Sequence, residues 1–275
     1  MQGIIFGDPP NFEAVLGLRF DQFDMDFTNN RTGDNFESSD DLLSPRAGLI
    51  YKPVEQMSLY ASYSVTYVPR AGAQLASLSP TNEAFDPEEF ENIEVGAKWD
   101  IRPGFALTAA LFQLDRTNVI IPDPNDPDVS ILVDGQRTEG FEFGASGRIN
   151  DVWSIQGGYA YQDGELTEAL GGNRLAQLPR HVASLWNRYD FTPAWGVGLG
   201  VVYQTEMFAA ADNAVTLPDF TRVDAAVFYA PSERLRMQLN LENLLDEKYY
   251  PNAHNNNNIT PGSPLALRVG VIANF

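Results

Sequence analysis

Residues able to do covalent chemistry are few in this 275-residue chain. With no Cys there is no thiol nucleophile, thiolate metal site or disulfide. The two histidines are dispersed. His254 precedes Asn255–Asn258 in a polar tract, and His181 opens an alternating segment with no carboxylate and nucleophile around it. His254 reads as a solvated ring. Gly144-Ala145-Ser146-Gly147 is one residue short of a nucleophile elbow, and neither a phosphate loop nor a His-Glu-x-x-His motif occurs. Asp123-Pro124-Asn125-Asp126-Pro127-Asp128 resembles a calcium loop only superficially. It lacks the glycine and terminal glutamate of an EF-hand and is stiffened by proline, so a surface loop is expected. The sequence predicts no enzyme, no catalytic residue, no metal site and no resident cofactor.

Composition narrows the partners. Acidic residues number 37 against 18 basic, a formal charge of −19 with no basic stripe, which argues against nucleic acid. A hydrophobic share of 44% fits an ordered chain, and one domain is expected at this length. No apolar run approaches the roughly 20 residues of a membrane-spanning helix. Residues 1–10 lack the basic start and apolar stretch of a signal peptide. That leaves two options, a soluble protein or one whose beginning lies elsewhere.

The elements that would position any site alternate with period two. Met57, Leu59, Ala61, Tyr63, Val65 and Tyr67 alternate with Ser58, Tyr60, Ser62, Ser64 and Thr66. The same pattern fills 93–99, 235–241 and 265–275, and reads as strands with one apolar and one polar face. Eight further segments fit it less cleanly: 12–24, 44–51, 105–115, 133–149, 153–163, 181–190, 195–204 and 219–230. The fold class expected is all-β with twelve strands, and at most one helical turn at 85–92. Short turns (52–56, 100–104, 150–152, 191–194, 231–234) alternate with long polar links (25–43, 68–92, 116–132, 164–180, 205–218, 242–264). An antiparallel up-and-down meander then gathers the long links at one end, as in transmembrane β-barrels.

Aromatic placement agrees. In the apolar phase beside the short turns stand Tyr51, Trp99, Phe105, Trp153, Trp195, Tyr229 and Phe275; Tyr67, Tyr161 and Tyr203 stand at the far ends. Two such bands around aliphatic middles match interfacial girdles. The other phase carries Glu94, Lys98, Glu142, Gln156, Arg188, Gln238, Asn240, Glu242 and Arg268. Charges there suit a watery interior or a polar plug. Two other classes stay open: a soluble secreted β-sandwich that binds carbohydrate, and a barrel hydrolase with catalytic residues on its loops.

Several separated blocks are similar to TonB-dependent outer-membrane receptors, in that family's order. They are LSPRAGLIYKP (43–53), SLYASYSVTYVP (58–69), FENIEVGAKWD (90–100), LTAALFQLDRTNV (107–119), GQRTEGFEFGASGRI (135–149), LPRHVASLW (178–186), TRVDAAVFY (221–229) and RMQLNLENLLDEKYY (236–250). A final Phe275 completes the likeness, and siderophore receptors of the catecholate type form the most similar subgroup. The resemblance implies uptake of a ferric siderophore, caught by extracellular loops, in the outer membrane of a Gram-negative bacterium. It also implies a signal peptide, a plug, and a barrel of about 22 strands. This chain matches only the C-terminal half of that barrel, so a fragment without plug or signal peptide is expected. Contact with the TonB complex would then run only through the missing N-terminal region.

Strands 12–24 and 265–275 would be open edges in such a fragment, giving an open sheet or a narrowed barrel that joins them. The last strand would engage the barrel-assembly machinery and the apolar face the outer-membrane lipid. A ferric catecholate is a polyanion with aromatic rings, so loop arginines and aromatics are its expected readers. The candidates are Tyr67, Arg70, Arg116, Arg174, Phe208, Tyr249 and Tyr250.

Overall fold

A computed structural model describes residues 2–6, 11–30, 33–69, 86–122, 130–167 and 172–274. Seventeen strands account for their regular structure: β1 (Gln2–Phe6), β2 (Phe12–Thr28), β3 (Asn35–Val54), β4 (Met57–Val68), β5 (Glu88–Arg102), β6 (Phe105–Pro122), β7 (Ser130–Arg148), β8 (Trp153–Leu166), β9 (His181–Tyr189), β10 (Trp195–Gln204), β11 (Met207–Phe208), β12 (Thr216–Leu217), β13 (Phe220–Ser232), β14 (Leu235–Glu242), β15 (Asn252–Asn255), β16 (Asn258–Thr260) and β17 (Ala266–Ala273). Among the described residues there is no helix, and β5 takes up 88–92 of the 85–92 segment expected to hold at most one helical turn. Thirteen strands hydrogen-bond in the order of the chain, with the pairs β11–β12 and β15–β16 set apart. All twelve expected strands are present in that meander.

The order runs from β1 at one end to β17 at the other. On its outer side β2 is paired by the unforeseen β1, from Gln2↔Leu18 to Phe6↔Ala14, while β17 pairs with β14. Of the two arrangements expected for the terminal strands, the open order is the one found.

Two compact units divide the chain, one of Met1–Gly96, Leu111–Glu139 and Gly164–Arg174, the other of Ala97–Ala110, Gly140–Asp163 and Leu175–Phe275. In the first unit β2 and β3 form a continuous ladder from Phe12↔Tyr51 to Thr28↔Asn35. Leu16, Leu18, Phe20, Leu43 and Leu49 are all exposed along it, Leu18 by 60%. The opposite phase carries Glu13, Arg19, Asp21, Arg46 and Lys52, with Lys52 Nζ 2.6 Å from Glu13. In the second unit Val197, Leu199 and Val201 on β10 and Leu267, Val269 and Val271 on β17 are exposed, Val269 by 67%. Arg188, Gln238, Asn240 and Arg268 occupy the other phase.

Apolar faces of this extent are not left to water by soluble proteins, and hydrocarbon supplies the burial they lack. A sandwich would have closed the same residues into a dry centre. The buried apolar cluster lies elsewhere, in the long links of the second unit: Met207, Ala209, Leu217 and Ala253, with Val215 and Ile259 against them. Those links are built on the two small hairpins β11–β12 and β15–β16.

Two expected links are largely strand. β2 and β3 take up 25–28 and 35–43 of the first, and β6 and β7 take up 116–122 and 130–132 of the second, whose residues 123–129 lie outside the described residues. A span of hydrocarbon takes only about 10 tilted residues. Beyond it water wets both faces, so the strands continue without one apolar phase: Met25 and Phe27 fall opposite to the phase of Leu16, Leu18 and Phe20, and Val119-Ile120-Ile121 does not alternate. Arg116 therefore stands on a strand and not on a loop.

Candidate functional site

In the first unit the ladder brings residues from β5, β6 and β7 to one polar pocket lined by Glu89, Glu91, Asp115, Arg116, Gln136 and Arg137, among others. Arg116 donates from Nε to Glu88 Oε1 at 2.9 Å, from Nη2 to the same oxygen, and from Nη1 to Gln136 Oε1 at 2.9 Å. Its guanidinium lies 4.8 Å from the centre of the Phe90 ring. Glu88 is only 6% exposed, so this ion pair joins a buried carboxylate to a cation that keeps one side in the pocket. Arg137 holds Asp115 at 2.6 Å. Burial pushes the Asp115 pKa up, but hydrogen bonds from Arg137 and Gln113, with the Arg137 charge, carry it below its ordinary value. Thr167 closes the pocket through its N–H to Gly135 O at 3.1 Å. Arg174 forms an isolated bridge with Glu165 beyond β8.

Tyr67 lines a separate hollow with Arg19, Asp21, Ser44, Arg46 and Thr66, again within the first unit. Arg70 lies outside the described residues. In the second unit Phe208 ends β11 and its carbonyl accepts the Gln177 N–H at 2.8 Å. Tyr250 is 38% exposed, but Tyr249 is only 6% exposed. The Tyr249 ring packs 4.6 Å from Phe220, its hydroxyl accepts from Arg222 at 3.0 Å, and Gly262 lies so close that a side chain there would strike the ring. Arg222 is in turn held by Asp224 at 3.0 Å, and Arg268 meets Glu242 at 2.9 Å.

Unforeseen in the sequence is Asn243, which is wholly buried. Its Nδ2 donates to the carbonyls of Glu247 and Ser263, its Oδ1 accepts the Glu247 N–H, and its own N–H donates to Asp224 Oδ1. A positive φ of 54° at this position suits Asn better than most residues. The turn of the NLLDEKYY block is thus a knot of backbone bonds around one amide.

The aromatics expected at the membrane boundary fall beside the short turns, in the phase of the exposed aliphatics. Tyr51, Trp99, Trp153 and Trp195 are exposed, and Trp195 stacks on its ladder partner Tyr229 at 4.2 Å. Phe105 is half-buried under the Arg102 guanidinium, 5.4 Å away, and Tyr203 is half-buried near the far end of β10. Phe275 lies outside the described residues. The described residues include no cluster of His, Asp or Glu arranged to hold a metal ion.

Residues 6–244 match the family model described as TonB dependent receptor-like, beta-barrel. The chain belongs to that family. Its apolar strand faces are therefore those of a Gram-negative outer-membrane protein. It is similar to the probable TonB-dependent siderophore receptor PiuA of Acinetobacter baumannii, 30% identical over 269 residues, covering 89% of this chain and 36% of PiuA. The metal-pseudopaline receptor CntO of Pseudomonas aeruginosa is 30% identical over 96% of this chain and 39% of its own. Among solved structures, PiuA superposes with a TM-score of 0.85 at 30% identity over 96% of this chain and 40% of that one. The ferric-catecholate import receptor Fiu of Escherichia coli, in its closed form, gives 0.81 at 25% over 99% and 44%. The chain spans well under half the length of these relatives.

Proposed function

We propose that this chain supplies barrel strands and ligand-catching outer segments to a receptor that takes up ferric siderophores, with catecholate-type chelates as its substrate class. The observation that carries this reading is the pairing of exposed apolar strand faces with relatives named as siderophore receptors, the ferric-catecholate import receptor Fiu among them. Arg116, Arg174, Tyr67, Phe208 and Tyr250 are the residues proposed to meet the ligand, and Tyr249 is proposed to hold its neighbours in place. Tyr51, Trp99, Phe105, Trp153, Trp195, Tyr203 and Tyr229 are proposed to seat at the lipid boundary, where amphipathic rings are favoured.

A direct test titrates the full chain, refolded in detergent, with the ferric complex of 2,3-dihydroxybenzoate and separately with ferric citrate. Saturable quenching of tryptophan fluorescence by the catecholate complex is expected. Equal response to both complexes, or none to either, overturns the substrate class.

A further inference from the structure

In the second unit an imidazole stands in the lipid-facing row. The β8–β9 ladder runs from Trp153↔Tyr189 to Tyr161↔His181, with Tyr159 opposite Ala183 and Gly157 opposite Leu185. His181 thus shares the phase of the exposed Leu185 and Tyr189. From Trp153 to Tyr161 the strand is about as long as the 9–11 residues that cross hydrocarbon. His181 therefore sits where hydrocarbon gives way to headgroups, at the end of the strands joined by the long links.

The ring is firmly held. The His181 N–H donates to Thr205 Oγ1 at 3.0 Å, and its carbonyl accepts the Thr205 N–H at 3.0 Å. Its Nδ1 lies 2.7 Å from the Tyr159 hydroxyl. The Tyr161 and Tyr159 rings stand 5.2 Å and 6.1 Å from the imidazole, and Phe141 lies 5.6 Å from Tyr159 and 5.7 Å from Tyr161. A phenol facing hydrocarbon must donate its proton to a neighbour, and the hydrogen-bond partner of Tyr159 is Nδ1. With Nδ1 the acceptor, the ring proton belongs to Nε2.

The cluster presents one N–H of fixed direction among three aromatic rings. β7, β8 and β9 are interior strands of the meander, so strands added at either end of the sheet leave this row to lipid. The strongest acceptors that lipid offers at this depth are phosphate oxygens, and an N–H on an anionic oxygen makes the stronger class of hydrogen bond. The carboxylate of Asp163 does not compete, since Arg180 holds it at 3.1 Å.

We infer that Phe141, Tyr159, Tyr161 and His181 form a seat for a phosphate-bearing lipid of the outer leaflet. His181 Nε2–H donates to a phosphate oxygen, and the three rings lie against the adjoining carbons of the lipid. Tyr159 is the positioning residue, since its hydroxyl orients the imidazole. The seat rests on the outer-membrane placement of the family and not on the siderophore reading.

The full chain, labelled with nitrogen-15 at its histidine rings and refolded in dodecyl maltoside, is titrated with phosphorylated lipid A. Parallel titrations use the same lipid stripped of its phosphates, and inorganic phosphate. The His181 signal is assigned by its loss in His181→Gln. Saturable displacement of the Nε2 resonance by phosphorylated lipid A is expected, with none from the other two probes. In native mass spectrometry His181→Phe, which keeps a ring without the N–H, should retain this lipid about tenfold less well. Tyr159→Phe should fall between that variant and the unaltered chain, and His254→Gln should match the unaltered chain. Equal displacement by the stripped lipid or by inorganic phosphate overturns the seat, as does no displacement at all. Undiminished lipid retention by a His181→Phe chain with native sheet content by circular dichroism also overturns it. The titration of the unaltered chain decides the matter where a variant fails to refold.

Discussion

Two of the outer segments are held by opposite means. In the second unit the links around Asn243 and the β11–β12 and β15–β16 hairpins have an interior of their own, with Met207, Leu217 and Ala253 excluded from water. In the first unit the outer half of the β2–β3 hairpin has no such interior and is held by its backbone ladder, with exposed side-chain hydrogen bonds across it from Ser39 to Asp24 at 2.8 Å and from Thr28 to Asn35 at 2.9 Å. Asp21, Asp24, Asp26, Asp34, Glu37, Asp40 and Asp41 crowd its length, and Asp26 stands directly opposite Glu37. One segment is fixed by burial and satisfied amides, the other by backbone bonds and exposed side-chain contacts in a row rich in carboxylates. They should therefore respond to different perturbations.

The largest effect is expected at Asn243. Asn243→Ala leaves two carbonyls and one N–H without their partner inside the turn, at about 1–3 kcal/mol for each group left unmet. A loss of roughly 3 kcal/mol or more in urea unfolding of the refolded chain is expected. Hydrogen exchange should accelerate across 243–265 and leave β2–β3 untouched. Unchanged exchange in 243–265 would show that the turn does not depend on this amide.

Arg116 comes next. Arg116→Met strands the buried Glu88 carboxylate, and breaking such a pair costs about 3–5 kcal/mol when both partners are fully buried. Arg116 is a third exposed, so a smaller loss of about 1–3 kcal/mol is expected. Adding Glu88→Gln should restore most of it. A double variant no more stable than Arg116→Met would mean that the pair is not the source of the loss.

The strand framework was legible in the sequence because period two survives wherever one face meets hydrocarbon, as at 57–67 and 195–204. Strand ends were not legible. From Ser38 to Asp41 both phases are polar, so strand and loop read alike. Met25 and Phe27 fall in the phase opposite to Leu16, Leu18 and Phe20, which breaks the pattern, and Arg116 sits in a stretch, Arg116-Thr117-Asn118-Val119-Ile120-Ile121, with no alternation at all. The candidate site was read in part. Tyr67 and Arg116 do line hollows, but strand register assembles these from residues far apart in the chain, such as Glu89, Arg116 and Gln136. Asn243 escaped for a similar reason: an Asn in a polar tract gives no sign that its partners Glu247 and Ser263 will close around it.

A pH effect of intermediate size is expected at Asp115, which lies past the ten or so residues of β6 that cross the hydrocarbon from Phe105. Its pKa is lower in the folded chain than in the unfolded one. The stability it contributes is therefore complete above the unfolded carboxyl value of about 3.9 and is lost as pH falls through the lower folded value. Unfolding measured across that range should show a dependence that Asp115→Asn flattens. An equal slope in the variant would assign the dependence to other carboxylates.

The smallest effect separates the two segments most cleanly. Like charges directly across a ladder oppose pairing by a few tenths of a kcal/mol, and salt removes much of that when the charges are exposed. Raising ionic strength from about 0.01 M to 0.15 M shortens the screening length from about 30 Å to 8 Å. Exchange of amides in 24–28 and 35–39 should slow over that change. Asp26→Lys should slow it already at low salt, by turning a repulsive pair with Glu37 into an attractive one, and should abolish or reverse the salt response. The Asn243 turn, whose hydrogen bonds are out of contact with water, should show no such response. If both segments respond alike, charge repulsion is not what distinguishes them, and the acidic hairpin is held by contacts other than its own ladder.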